Sequence, residues 1–142
     1  MIAIGNDHRA VALKNEILAY LVANGYASDN KGTDSAEAAD YTVFADKVTD
    51  AVLAGECEKG ILICGTGIGM SIRANRRKGI RAAICHDVFT ARMARQHNDA
   101  NVMILGADIV GTEPALEALK VFLETDFSGE ERHVRRIAYL DR

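Results

Sequence analysis

Residues 60–69 read Gly60-Ile61-Leu62-Ile63-Cys64-Gly65-Thr66-Gly67-Ile68-Gly69. Ile61-Leu62-Ile63 is a continuous apolar run, the pattern of a strand covered on both faces rather than the alternation of a half-exposed one. The run passes directly into glycines, and a helical pattern follows to about Asn75. A buried strand that turns through glycine into a helix is the centre of a βαβ unit, with a right-handed crossover and parallel strands. The fold class is α/β.

The same alternation extends in both directions. Toward the N-terminus lie the short run Ile2-Ala3-Ile4, a helix with Leu13, Ile17, Leu18, Leu21 and Val22 on its inner face, and a polar edge-strand candidate over 26–31. A second helix, with Phe44, Val48, Ala51 and Val52 inward, ends at Gly55. Toward the C-terminus lie a strand at 81–85, a helix from the N-cap Asp87 through Gln96, and a strand at 102–105. A helix from about Thr112, with Pro114 in its first turn, buries Leu116, Leu119, Phe122 and Leu123; a short last helix carries HVRRIAYL. The expectation is one domain over 1–142, a doubly wound parallel sheet of five strands covered by helices on both faces.

Composition excludes other classes. Of 142 residues, 49% are hydrophobic and 26% charged, enough for one filled core and too apolar for disorder. The net charge of −3 gives no global basic excess, so no nucleic-acid partner is expected. GILICG and NVMILG are too short to span a bilayer, and MIAIGNDH has no basic leader, so no membrane partner and a cytoplasmic location are expected. The 3 cysteines (Cys57, Cys64, Cys85) are odd in number and lack CxxC spacing, which reads as reduced thiols rather than a disulfide or zinc framework.

Ligands of such sheets bind beyond the carboxyl ends of the strands. Four loops meet that edge: Asn6-Asp7-His8 after the first strand, Gly65–Gly69 after the third, His86-Asp87 after the fourth and Gly106-Ala107-Asp108 after the fifth. CGTGIG fails as a dinucleotide fingerprint because Met70 stands at the last glycine position. It fails as a cysteine-phosphatase loop because that same Met70 replaces the phosphate-clamping Arg. Two readings stay open. Either Cys64 is a general base beside a nest of backbone amides that steadies an oxyanion, or it is a small hydrophobe in a tight turn. Asp7 and His8 are either a cap and a surface histidine, or an acceptor for a sugar hydroxyl and a donor to a phosphate or ring oxygen. Cys85-His86-Asp87 is read as a structural thiol and a cap, since adjacent residues point apart. The basic run Arg73, Arg76, Arg77, Lys78 and Arg81 is read as a solvated face. Arg132 and Arg136, at i and i+4, share a helix face suited to a phosphate. His97 falls at the opposite, helix-to-strand end of its unit, remote from Cys64 within one subunit; a neighbouring subunit could bring it back, which hints at a dimer with shared sites.

With IGNDH, Lys31-Gly32-Thr33, Asp40-Tyr41, GILICGTGIGMSI, GIRAAICHD, RQHNDANV and RHVRR in place, the chain resembles the type B ribose-5-phosphate isomerase family, which also holds the galactose-6-phosphate isomerases. The resemblance runs from Ile2 to about Ile137. It implies a Rossmann-like five-stranded fold and homodimers, sometimes paired into tetramers, whose active sites are shared between subunits. It further implies a phosphorylated sugar as substrate and neither metal nor organic cofactor. Cys64 matches the base that moves a proton between C1 and C2, and His97 the ring-opening acid/base, with Asn98 beside it. Gly65, Thr66, Gly67 and Gly69 match the loop that holds the enediolate. Asp7 and His8 match sugar and phosphate contacts; Arg132 and Arg136 match phosphate ligands. The implied reaction interconverts ribose 5-phosphate and ribulose 5-phosphate. Tetrose, allose or galactose phosphates are the alternatives within the class, and a non-catalytic nucleotide-binding module the alternative outside it.

Three positions depart from the family pattern: Arg9-Ala10 where it has Ala-Gly, Thr42 where it has Pro, and Asp108 where it has a phosphate-binding Arg. Arg9 accordingly has two readings, a replacement phosphate ligand or a partner for Asp108.

Overall fold

The computed structural model describes residues 1–142. Five strands form one parallel sheet: β1 (Ile2–Asn6), β2 (Ser28–Asn30), β3 (Lys59–Cys64), β4 (Ala82–Ile84) and β5 (Val102–Gly106), in the order β2-β1-β3-β5-β4. Six helices connect and cover them: α1 (Val11–Ala23), α2 (Tyr41–Leu53), α3 (Ile68–Asn75), α4 (Val88–Asn98), α5 (Thr112–Glu124) and α6 (Glu131–Leu140). The doubly wound, Rossmann-like expectation holds. No helix is long and apolar enough to cross a membrane.

The three central strands, β1, β3 and β5, are the ones whose apolar runs are fully buried. Alternate side chains of β3 go to opposite faces. Ile61 and Ile63 join Ile4, Ile17, Leu105 and Phe122 under α1 and α5. Leu62 and Cys64 join Ala3, Val48, Met70 and Ile104 under α2 and α3. The edge strand β2 is polar Ser-Asp-Asn, as its sequence anticipates. The order of strands reverses between β1, which pairs β2 on one side, and β3 on the other. The crevice at that switch point lies between the loops after β1 and β3, and this is where Asp7, His8 and Cys64–Gly69 gather.

Some side chains depart from expectation. On α1 the inner face is carried by Leu13, Ile17 and Leu21 at four-residue steps, so Val22, about 100° further round, is 73% exposed. Phe44, Val52, Leu116 and Leu123 flank their helix faces and are only half-buried, while Ala45, Val48 and Ala51 of α2 and Ala115, Ala118, Leu119 and Phe122 of α5 carry the contacts. The basic run is no solvated face throughout. Arg73 forms a two-pronged pair with Asp46 (2.7 and 3.0 Å), and Arg77 bonds Asp50 and Thr49, tying α3 to α2. The least expected burial is Lys14. Its ammonium donates to the Thr33 carbonyl (2.9 Å) and pairs with Asp34, which anchors the loop after β2.

Candidate active site

β3 delivers Cys64 to the end of the sheet, and the chain must then turn at once into α3. The turn needs a left-handed residue at Gly67 (φ +83°), where a Cβ would also press Ile104 at 3.0 Å. In this conformation the Gly67 N–H points back and donates to Cys64 Sγ at 3.1 Å. The thiol is buried, 5% exposed, and opens onto the first turn of α3, whose Ile68 N–H is capped by Thr66 Oγ1 at 3.2 Å. Free amide donors and a helix N-terminus beside a sulfur form a place where negative charge on a substrate oxygen is stabilised.

The loop after β1 forms the neighbouring wall. Asp7 is buried, its N–H bonded to the Ile63 carbonyl, and Oδ1 accepts from the Arg9 N–H at 3.0 Å. Asp7 therefore caps a short 3₁₀ turn through one carboxylate oxygen. His8 Nδ1 accepts from the Ala39 N–H at 3.1 Å, which puts the ring proton on Nε2 as a donor. The Arg9 guanidinium pairs with the Asp108 carboxylate, and both side chains lie over Gly65. Of the two readings of Arg9, the pair with Asp108 is the one formed. Sequence reasoning gave Tyr41 no role, yet its phenol lies against the backbone of Gly69, closing the far side of the nest so tightly that any side chain there would collide. The Asp40-Tyr41 marker was the available signal.

The fourth strand's end is structural, as expected. The Cys85 thiol lies in the core, its pKa pushed up to about 12 by burial and by Asp87. Asp87 accepts from the Thr90 N–H at 2.7 Å and caps α4. His86 turns away from both: its Nε2 accepts from the Gly106 N–H at 2.8 Å, and burial holds its pKa below the ordinary value.

His97 and Asn98 end α4 at the opposite edge of the sheet from Cys64. Two arginines brace that turn. Arg81 donates to the carbonyls of Asn98 (2.9 Å) and Asp99 and pairs with Asp141; buried Arg95 bonds Asp99, Ala100 and Thr125. Neither had been singled out for this. Arg132 and Arg136 lie on α6 beside His97, both exposed, with Arg132 also near Glu130 (3.1 Å). The structure thus gathers these residues into two groups: Cys64, Thr66, Asp7, His8 and Tyr41 at one edge of the sheet, and His97, Asn98, Arg132 and Arg136 at the other. The first group forms a shelf at the sheet edge, with Thr66 exposed on it.

Residues 2–140 match the model of the family described as Ribose/Galactose Isomerase. The chain belongs to this family. It is 46% identical over 136 residues to ribose-5-phosphate isomerase B of Escherichia coli, covering 96% of this chain and 91% of the relative. It is 41% identical over 143 residues to the D-erythrulose-4-phosphate isomerase of Pectobacterium atrosepticum, covering 99% and 94%. Its fold superposes on a crystal structure of a ribose 5-phosphate isomerase from Thermotoga maritima with TM-score 0.96 and 46% identity, covering 99% and 96%. As a member of the ribose/galactose isomerase family, this chain is an aldose–ketose isomerase.

Proposed function

We propose that the chain interconverts ribose 5-phosphate and ribulose 5-phosphate in the cytoplasm, as a homodimer with active sites shared between subunits. One observation carries the chemistry: Cys64 Sγ sits at the mouth of the GTGIG amide nest. Cys64 removes the C2 proton of the open-chain aldose and returns it to C1. The charge that develops on the substrate oxygens in between is met by the N–H groups of the Gly65–Gly69 loop, with Thr66 at a sugar oxygen. Asp7 accepts a sugar hydroxyl and His8 donates through Nε2. His97 of the other subunit opens the furanose, taking the proton of O1 and giving one to the ring oxygen, with Asn98 beside it. Arg132 and Arg136 bind the phosphate. The reaction moves protons within one carbon skeleton, so it requires no external electron acceptor.

Sharing is supported by the placement of the two groups at opposite sheet edges and by apolar surface beside the shelf. Ile68 and Ile72, one turn apart on α3, are 58% and 55% exposed, and Phe89 is 66% exposed. A second substrate reading has an observation of its own. Asp108 stands where the family carries a phosphate-binding Arg, and a relative named for a four-carbon sugar phosphate is 41% identical. An assay of the purified enzyme across pentose, tetrose and hexose phosphates decides. The highest kcat/KM for ribose 5-phosphate is the expected result, a tetrose phosphate in first place gives the second reading, and turnover of none refutes both.

A further inference from the structure

α6 is ten residues long and buries one side chain, and that side chain is a histidine. Its imidazole lies flat on that of His97, with ring centroids 4.3 Å apart and planes 15° from parallel. A leucine would dock the helix at less desolvation cost, so a polar ring here calls for a reason beyond packing. The hydrogen bonding points to one. Arg132, always a donor, gives its Nε–H to His133 Nε2 at 3.3 Å, which leaves the ring proton of His133 on Nδ1 and the ring neutral. Burial first, then the neighbouring His97, Arg132 and Arg136, hold the His133 pKa below the ordinary histidine value, against a smaller opposing effect of Glu130. The arrangement is a neutral flat plate, fixed on one side by Arg132 and pressed on the other against the ring of His97.

We propose that His133 is a positioning residue for His97, setting the plane of its ring for proton transfer to the furanose oxygen and tying that plane to the phosphate-side Arg132. The proposal rests on the reading of His97 as the ring-opening acid/base. An imidazole at the end of a helix is free to turn about two side-chain bonds, and a stacked neighbour removes most of that freedom. General acid catalysis depends on such orientation, because a proton moves along one lone-pair direction.

Substrate chemistry separates ring opening from enolisation. Ribose 5-phosphate is a furanose and must be opened. In ribulose 5-phosphate the C5 oxygen is esterified and cannot close a ring on C2, so Cys64 exchanges its C1 proton for solvent deuterium with no ring step. His133→Ala is expected to lower kcat for ribose 5-phosphate about ten-fold, with a much smaller change in KM. Deuterium uptake at C1 of ribulose 5-phosphate should stay within about two-fold of wild type, since Cys64 is untouched. His133→Phe, which restores a flat face, should recover most of the lost rate. His133→Gln, which keeps an acceptor for Arg132 but no plate, should not, and this pair decides the matter if the alanine variant folds poorly. Equal losses in ring-dependent and ring-free assays, or Phe no better than Gln, would overturn the proposal, as would no loss at all. His97→Asn run alongside identifies failure of the underlying reading: if it leaves ribose 5-phosphate turnover intact, His97 does not open the ring and His133 has nothing to position.

Discussion

For Cys64, sheet, turn and helix all have to be in place before its sulfur meets the Gly67 N–H. If it is the base, Cys64→Ala should lose roughly 10²–10⁴-fold in kcat with KM little changed, because a base acts only as the proton moves. Iodoacetamide should inactivate the wild type and substrate should protect it; an alanine variant with near-normal kcat would return Cys64 to the role of a packed thiol. Arg9 and Asp108 pose a different question. Their side chains are 58% and 45% exposed, so the pair adds little to stability. Its effect is electrostatic: a carboxylate beside the site occupies the one guanidinium on that loop. Asp108→Ala should free Arg9 and lower KM for the preferred sugar phosphate by roughly ten-fold or more, about the worth of one charge-assisted bond, and adding Arg9→Ala should reverse the gain. Unchanged KM in both variants would place the phosphate away from this pair. At this scale the sequence was legible for Cys64, Asp7 and Asp87, whose partners lie within a few residues. Lys14 was not, because its partners lie 19 and 20 residues away and helical periodicity assigns a lysine to solvent.

Among the elements, the sheet was readable because β1, β3 and β5 are central and carry buried apolar runs, while β2 at the edge is polar. Helix faces were readable to within a residue or two; Val22 was misplaced because five apolar positions span more arc than a helix against a sheet can bury. The junction of β4 and α4 shows what periodicity cannot supply. Cys85-His86-Asp87 looks like a reactive trio, yet one member packs, one accepts from β5 and one caps. His86 makes this junction sensitive to pH. Its Nε2 is an acceptor, so protonation breaks the bond to Gly106 and places a charge in a desolvated position. A folded pKa below the unfolded value of about 6.5 means the unfolded chain binds more protons in that window, so stability is full above it and declines as pH falls through it. His133 acts in the same direction. The melting temperature should therefore drop between about pH 7 and pH 5, and His86→Gln, which keeps an acceptor without titrating, should reduce that drop. An equal drop in the variant would assign it to other groups.

For the whole molecule, the decisive observation is that one chain places Cys64 and His97 at opposite edges of its sheet. α4 runs antiparallel to the strands it packs on, so its last turn, with His97, is at the far edge from Cys64 by construction of the βαβ unit. No loop adjustment within a chain carries an imidazole across the length of the sheet. Under the proposed function a two-fold partner would, since a symmetric contact that brought one chain's His97 to the other's Cys64 would necessarily do the reverse as well. The exposed Ile68 and Ile72 beside the nest mark where such a contact would bury apolar surface. The arrangement predicts complementation between two inactive proteins. In a hybrid of Cys64→Ala and His97→Asn chains, one site receives both lesions and the other receives neither. Random reassociation of equal amounts makes half the dimers hybrid, each with one intact site of two, so activity should return to about one quarter of wild type. The measurement is turnover after the mixed chains are dissociated and reassociated, with exchange verified by mass spectrometry of a labelled subunit. Confirmed hybrids that remain inactive would mean that each chain supplies its own acid/base, and that His97 serves a structural end of α4 rather than a neighbour's substrate.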